Sequence, residues 1–392
     1  MQLKKIILFL FLLSTTIGFS QLPELSTSSK VSLLTVGTAD ELHSKFGHTA
    51  IRIQDPELRI DVVYNYGHFD FNTPNFYLKF TQGKLLYQLA RHSFKNFMYT
   101  YEIENRWVKE QLLQINQAER NQLFKFLEDN HLPENRYYKY DFLFDNCATK
   151  IPIVFSTVFG DHISYNYDHL VKENTFRQLI HENLDTNSWS NFGIDLALGS
   201  VIDRKATKKE HLFLPLYVFE QMSNTYMNGK AITTESTLLL EETPTEKNSS
   251  FFLSPLFCLS VLLILTVFVS YRDHKNKTRN RALDFFLFFA TGIAGILVLF
   301  LWFGTDHKAT VENFNFLWVF PLNLVFAFFT LQKSNLPRWS RKYILFLLSL
   351  LIVTTVVWIF KIQIFSPLII IIMLALAIRY VFLQSWLKKQ SF

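Results

Sequence analysis

The last third of the chain constrains the fold most, because it consists of apolar runs long enough to cross a membrane. A membrane-spanning helix needs ~20 apolar residues. Five runs approach that length, at residues 251–270, 283–303, 316–331, 343–360 and 367–386, and the third is the shortest. The chain is also 49% hydrophobic with 41 phenylalanines, which is typical of an integral membrane protein. We therefore predict an all-α membrane domain of five transmembrane helices over residues 251–392.

Charged residues between the apolar runs predict the direction of each crossing. Basic residues cluster at 272–281, at 333–342 and in the C-terminal tail, whereas the two other connections hold only Lys308 and Lys361. Positively charged connections stay in the cytoplasm, so the domain that precedes the first run is predicted to lie outside. Residues 1–20 have the pattern of a signal peptide, which predicts the same topology. The net charge of +6 is thus explained by topology signals rather than by a nucleic-acid surface.

Residues 21–234 predict a folded α+β domain outside the membrane, followed by a polar linker at 235–250. Alternating apolar patterns predict strands, and longer periodic patterns predict helices. The strand candidates are 31–37, 49–53, 61–66, 85–89 and 99–108; the helix candidates are 116–130, a helix that begins at 147, and 168–184. Turn residues at 55–58 join the second and third strands into a hairpin.

Cys147 is the first candidate for a functional residue. The only other cysteine, Cys258, lies inside the first apolar run and is no partner for it. Cysteines of exported domains usually pair, so a single thiol there is either a buried bystander or a nucleophile. Asp145 and Asn146 are suited to cap a helix, which places Cys147 in the first turn, where the helix dipole favours a thiolate. We interpret Cys147 as a nucleophile.

A thiol nucleophile needs a base, and His48 at the start of the hairpin is the candidate. If residues 54 and 59 pair across the turn, the same register places His48 opposite Asn65. A cysteine, a histidine base and an asparagine that orients the imidazole form a working catalytic set. The alternative for His48 is a purely structural role. Other candidates for the orienting residue are Asp61 and, after a one-residue register slip, Tyr64 or Tyr66.

A second candidate site lies in the outer connection between the second and third apolar runs. Its polar residues are Asp306, His307, Asn313 and Asn315. Polar groups at a membrane boundary are functional candidates by default, although an ordinary aqueous loop explains them equally well. Two ligands in a loop do not define a metal site, so no metal is predicted.

Three motifs resemble a known family. They are FGHTAIRI (46–53), VVYNYGHFDF (62–71) and YDFLFDNCATKIP (140–152). A histidine on a strand followed by a cysteine at a helix start resembles the circularly permuted papain-like hydrolases of the NlpC/P60 type and the lecithin:retinol acyltransferase group. Together with five membrane runs, the motifs more closely resemble the Lnb family. Members of that family are implicated in adding the third acyl chain to envelope lipoproteins.

The resemblance implies a permuted papain-like domain in the periplasm on a five-helix domain in the inner membrane, with the C-terminus in the cytoplasm. It implies a lipoprotein N-acyltransferase with Cys147 and His48 as catalytic residues. A membrane phospholipid would donate the acyl chain through a thioester, and the α-amine of a diacylated lipoprotein would accept it. The loop with Asp306 and His307 would bind a lipid head group or orient that amine. Neither a cofactor nor a nucleic acid is expected. His68 stands where the family suggests a small residue; it is either a second imidazole near the site or a loop residue, and we favour the loop residue.

Two other functions remain open at this point. The same cysteine and histidine would serve an envelope thiol hydrolase, either a phospholipase or a cell-wall amidase or peptidase. Five membrane crossings argue against the wall enzyme, for which one anchor suffices, but not against the phospholipase. The third alternative is a membrane-tethered binding module with an inert Cys147.

Overall fold

The computed structural model describes residues 22–41, 44–244, 250–332 and 336–390. The predicted signal peptide lies outside these residues. The described chain consists of an N-terminal domain built around a sheet and a C-terminal region of long apolar helices, which confirms the predicted division into a mixed domain and a helical membrane part.

The N-terminal domain contains two antiparallel sheets. In chain order the described strands are β1 (Lys30–Val36), β2 (His48–Asp55), β3 (Ile60–His68), β4 (Leu86–Ser93), β5 (Val108–Leu112), β6 (Tyr137–Lys139), β7 (Ile163–Tyr165), β8 (Thr225–Met227), β9 (Lys230–Ala231) and β10 (Thr237–Leu240). The larger sheet has the order β10-β5-β1-β2-β3-β4-β6, and the smaller one has the order β7-β8-β9. Strands β1 and β2 are therefore central, and β2 carries His48 at one end of the sheet.

Twelve α-helices occur in the described residues. Those of the N-terminal domain are α1 (Phe76–Thr81), α2 (Phe94–Ile103), α3 (Gln117–His131), α4 (Cys147–Phe159), α5 (Phe176–His181), α6 (Trp189–Ala197) and α7 (Pro215–Ser223). Those of the membrane region are α8 (Pro255–Asn276), α9 (Arg281–Phe303), α10 (Asn323–Thr330), α11 (Ser340–Ile359) and α12 (Ile369–Gln390).

Helices cover both faces of the central strands. Helices α3 and α4 pack on one face, through a core that includes Leu33, Ile51 and Phe155. Helix α2 packs on the other face, where Phe97 and Tyr101 meet alternate residues of the same strands. Burying a large aliphatic side chain contributes about 1.5–3 kcal/mol, so this two-sided core holds β2 and the start of α4 in a fixed relation.

Three predictions about the N-terminal domain need correction. The first half of the predicted strand 99–108 belongs to α2, and Val108 begins β5. The helix forms because Ser93 caps it by accepting from the Asn96 N–H, and Phe97 and Tyr101 recur at helical spacing. The predicted helix 168–184 is reduced to α5, which starts at its Thr175 cap. The predicted linker contains β10, which pairs with β5 and extends the sheet. The helix predicted at 116–130 is confirmed as α3, including the capping box of Asn116 and Glu119.

Four described helices, α8, α9, α11 and α12, are long and apolar enough to cross a membrane. The third apolar run forms a 3-10 turn at Phe314–Leu317 and the eight-residue helix α10 instead. At 1.5 Å per residue, α10 spans about 12 Å of a ~30 Å apolar layer. Pro321 precedes it and cannot donate a helical hydrogen bond. Five continuous membrane helices are therefore not confirmed.

A buried ion-pair cluster joins three of the long helices. Arg379 of α12 is fully buried and pairs with Asp273 of α8 at 2.9 Å and with Asp284 of α9 at 2.6 Å. Its guanidinium also donates to the Ser270 hydroxyl. Removing one partner of a buried pair typically costs about 3–5 kcal/mol, because the other charge is left without compensation. The cluster therefore fixes how α8, α9 and α12 pack together.

Candidate active site

Helix α4 places Cys147 in its first turn, as the sequence predicts. The Oδ1 atom of Asn146 accepts from the Ala148 and Thr149 N–H groups, both at 2.9 Å. Its amide nitrogen donates to the carbonyls of Phe142 at 2.7 Å and Phe213 at 2.8 Å. Asn146 is buried, so these bonds fix the start of the helix from both sides.

Cys147 lies where the hairpin of β2 and β3 opens. The last paired residues of the hairpin are Ile51 and Tyr64, and a bulge against β4 follows between Asn65 and His68. Gly67 in this bulge has a φ of +88°, and a Cβ atom on it would lie 3.7 Å from the Cβ of Cys147. The left-handed backbone and this close approach explain the glycine.

The thiol of Cys147 lies against the first residues of β2. The Thr49 N–H is within hydrogen-bond reach of it, as is the Ala148 N–H at the start of α4. Thr49 directly follows His48 in the chain. The thiol therefore lies beside the backbone of the residue that follows His48, at one end of the sheet.

His48 and Asn65 are brought together, but by a register that differs from the predicted one. Gln54 pairs with Asp61 rather than with residue 59, a shift of two residues. Because side chains alternate with a period of two, this shift keeps Asn65 on the face of His48. The Nε2 atom of His48 lies 2.6 Å from Oδ1 of Asn65. Since Oδ1 is an acceptor, Nε2 carries the proton and Nδ1 keeps its lone pair.

The other candidates for orienting His48 have partners elsewhere. Asp61 accepts two bonds from Arg52, each at 2.8 Å. The hydroxyls of Tyr64 and Tyr66 donate to side chains of α3, Glu128 and Asn130 respectively. His68 is exposed at the end of β3, with its ring 5.5 Å from that of His92.

Burial keeps both reactive groups neutral. It lowers the pKa of His48 to about 4, helped by the charge of Arg106 and opposed by the bond to Asn65. It raises the pKa of Cys147 to about 11, although the Thr49 and Ala148 N–H groups and Arg106 act in the opposite direction. The expected effect of the helix dipole on the thiol is therefore outweighed by desolvation. At neutral pH Cys147 is therefore a thiol and His48 a neutral imidazole.

Arg106 is a charged member of the site that the sequence did not indicate. Its Nε donates to the Gly37 carbonyl and its Nη1 to Glu104, both at 2.8 Å. Nη2 is buried and has no hydrogen-bond partner among the described residues. The guanidinium lies 4.9 Å from the ring centre of Tyr101, which is 6.4 Å from the ring of His48. This fixed positive charge favours a thiolate and disfavours an imidazolium.

Asp306 and His307 contact the N-terminal domain beside this site. Asp306 pairs with Lys139 of β6 at 2.7 Å, and its N–H donates to the Gln82 carbonyl at 2.9 Å. The Nε2 atom of His307 is 3.2 Å from the Thr81 carbonyl oxygen. These two residues dock the outer end of the membrane region onto the domain, and the substrate-binding role predicted for them stays a prediction.

Asn313 and Asn315 are buried in the same interface. The amide of Asn313 donates to the carbonyls of Leu196 and Ala197, and that of Asn315 donates to the carbonyl of Asp195. Their side-chain amides thus form hydrogen bonds between the membrane region and the N-terminal domain. Asn313 and Asn315 hold the domains together here, and their predicted contact with substrate is untested.

Comparison with protein families agrees with the sequence motifs. The model of the Lnb N-terminal periplasmic domain matches residues 24–181, and that of the Lnb transmembrane domain matches residues 246–391. The chain belongs to the Lnb family. Among curated proteins and among solved structures, nothing matches. This Lnb protein is thus a multi-pass membrane protein with an N-terminal periplasmic domain.

Because the thiol of Cys147 is neutral, its rate of alkylation should depend on pH. Because the pKa of Cys147 is raised to about 11, alkylation of this Lnb protein should accelerate about tenfold per pH unit from pH 7 to 10, without a plateau. Arg106→Gln should slow alkylation at each pH, because loss of the positive charge raises the thiol pKa further. Mass spectrometry of the Cys147 peptide measures both rates.

Lys205→Gln is the matched control, because it removes an exposed cation that pairs with Glu173. Its alkylation rate should equal that of the wild type. A plateau near pH 7 would show a preformed thiolate and contradict the neutral pair. Equal rates for Arg106→Gln and the control would show that Arg106 does not act on the thiol.

Proposed function

We propose that this protein is a lipoprotein N-acyltransferase that moves an acyl chain from a membrane phospholipid, through a thioester on Cys147, to the α-amine of a diacylated lipoprotein. Membership of the Lnb family supports the reaction class. The observation that carries the proposal is the meeting of the Cys147 thiol with β2 directly beside the His48–Asn65 pair. Nucleophile, base and orienting group are the parts that thiol acyl transfer needs.

In the first half-reaction, Nδ1 of His48 takes the proton of the Cys147 thiol as sulfur attacks the ester carbonyl carbon. The carbonyl electrons move onto oxygen, and backbone N–H groups such as that of Thr49 stabilise this anion. Collapse of the intermediate breaks the ester C–O bond. The imidazolium of His48 gives its proton to the departing lysophospholipid oxygen, and the acyl chain remains as a thioester.

In the second half-reaction, the lipoprotein amine attacks the thioester carbonyl. His48 takes the proton that the amine loses, and the C–S bond breaks to leave an amide. The sulfur then recovers its proton from His48. The low pKa of His48 favours the return of the proton to the lysophospholipid oxygen in the first half-reaction and to the sulfur in the second. An imidazolium with a low pKa gives up its proton readily.

The position of the site beside the membrane region supports lipid substrates. Lys308 lies 3.7 Å from Asp141 and over the ring of Phe144, both in the loop that leads to Cys147. Donor and acceptor are both anchored in the membrane, so a thiol at its surface meets them without extracting either. A phospholipase would use the same first half-reaction and release the chain to water, so the acceptor distinguishes the two activities.

The proposal includes a permuted papain-like domain and five membrane crossings. The chain order of His48 before Cys147 supports the first. For the second, Arg279, two residues before α9, donates to the Thr330 carbonyl at 2.9 Å, whereas Asn313 contacts the N-terminal domain. The segment between Asn313 and Thr330 therefore runs from one end of α9 to the other. A 3-10 turn plus α10 would make a broken third crossing.

Deleting the gene or replacing Cys147 by Ala should remove the third acyl chain from envelope lipoproteins, because no thioester forms. Mass spectrometry of a lipoprotein N-terminal peptide measures this chain directly. Cys258→Ala is the matched control, since it removes the other cysteine, which lies in α8, and it should leave the lipoproteins triacylated. Triacylated lipoproteins in the deletion strain would contradict the proposal and favour the hydrolase.

Five crossings place the C-terminus on the side of the membrane opposite the N-terminal domain, whereas four place both on one side. A fluorescent protein fused after Phe392 should therefore fold and fluoresce in the cytoplasm, and alkaline phosphatase fused there should be inactive. Active phosphatase and a dark fluorescent fusion would show four crossings. A phosphatase fusion at the end of the N-terminal domain is the positive control.

A further inference from the structure

A short segment between β3 and β4 exposes several large apolar side chains. We call residues 69–84 the aromatic lip; helix α1 lies within it. Phe71, Tyr77, Leu78 and Phe80 are between half and four-fifths exposed, with Tyr77 the most exposed at 79%. Clustered exposed apolar side chains mark a surface that meets another apolar surface.

The aromatic lip lies beside the outer end of a membrane helix. The Gln82 carbonyl accepts from the Asp306 N–H at 2.9 Å, and the ring of His307 packs against Gly83. Asp306 follows Phe303, the last residue of α9, by three positions. Three residues extend at most about 10 Å, so the lip is held close to the C-terminal end of α9. Phe303 itself is largely exposed, as a residue that faces lipid would be.

The inner side of the lip connects to the candidate active site through a row of aromatic rings. Phe76 of α1 lies 5.7 Å from Phe69, and Phe69 lies 5.4 Å from Tyr87. Tyr87 stacks on Tyr140 at 4.3 Å. Both Tyr140 and Cys147 lie within 4 Å of the position that a Cβ atom of Gly67 would take. A row of packed aromatic rings therefore connects the lip to the surroundings of Cys147.

We propose that the aromatic lip inserts into the membrane leaflet on the side of the N-terminal domain, with Phe71, Tyr77, Leu78 and Phe80 among the lipids. Its partner is the lipid surface itself, and the ring row from Phe76 to Tyr140 guides an acyl chain toward Cys147. Aromatic side chains favour the membrane interface, and the exposed Lys84 suits anionic head groups there. Insertion does not depend on which reaction Cys147 performs.

Site-specific fluorescence quenching tests the insertion. In full-length protein with Cys147→Ser and Cys258→Ser, Tyr77→Cys is labelled with an environment-sensitive fluorophore and reconstituted in phosphatidylethanolamine–phosphatidylglycerol vesicles. Vesicles with nitroxide-labelled acyl chains should quench most of its emission. Phe71→Cys is the second position and should be quenched as well, because both side chains are exposed on the lip.

Tyr226→Cys is the matched control. Tyr226 is an exposed aromatic residue of β8, which packs at the far end of α4, about 20 Å from Cys147 along a 13-residue helix. Its label should stay unquenched. Quenching at residues 71 and 77 no greater than at 226 would overturn the proposal. Lip labels that are shielded from water but not quenched by the nitroxide lipids would show that a protein, such as a second copy, covers the lip.

A second measurement tests the path to Cys147 and rests on the proposed function. Leu78→Asp should lower acylation of Cys147 from vesicle phospholipid about tenfold, because a carboxylate opposes insertion into the interface. Acylation by a short water-soluble ester should be unchanged, as should both rates in Tyr226→Asp. An equal loss of Cys147 acylation with vesicle phospholipid and with the soluble ester would overturn the proposed path from the lip to Cys147. Failure of wild-type protein to be acylated by phospholipid would reject the transferase but not the insertion, which quenching measures separately.

Discussion

The hydrogen bonds of the Asn146 side chain are the interaction on which the site depends. They satisfy the first N–H groups of α4 and tie them to the carbonyls of Phe142 and Phe213. Replacing such a cap by alanine costs about 1 kcal/mol of helix stability. Here it would also release Cys147 from the opening between β2 and β3. The position of Cys147 is therefore set by the buried amide of Asn146 rather than by contacts of Cys147 itself.

Burial and proximity to the membrane act together at this site. A desolvated thiol and imidazole are both neutral, so Cys147 should react slowly with ordinary electrophiles at neutral pH. The docking of the Asp306 loop keeps the same thiol beside the outer end of α9. Under the proposed function, a desolvated thiol beside the membrane region would favour lipid esters over soluble polymers. Arg106 adds the one charge that helps sulfur become an anion.

Much of the site was predictable because it depends on local patterns. An Asp-Asn pair before Cys147 predicts a helix start, and that prediction needs no tertiary information. The hairpin register was wrong by two residues because the loop includes Arg59 with a φ of +55°, and no glycine marks such a residue in the sequence. Arg106 was missed because its position depends on a long-range hydrogen bond to the Gly37 carbonyl, which lies 69 residues away in the chain. The lip was missed because its apolar residues are exposed, and a pattern alone does not separate them from a core.

Acyl transfer through Cys147 is tested most directly by mass spectrometry of the purified protein after incubation with phospholipid vesicles in the absence of any lipoprotein. We expect one acyl chain on the Cys147 peptide, removable by hydroxylamine as a thioester is, and absent in His48→Ala. Cys258→Ala should be acylated like the wild type. A wild-type protein that carries no acyl group on Cys147, or carries it on another residue, would contradict the central claim that Cys147 is the nucleophile of acyl transfer.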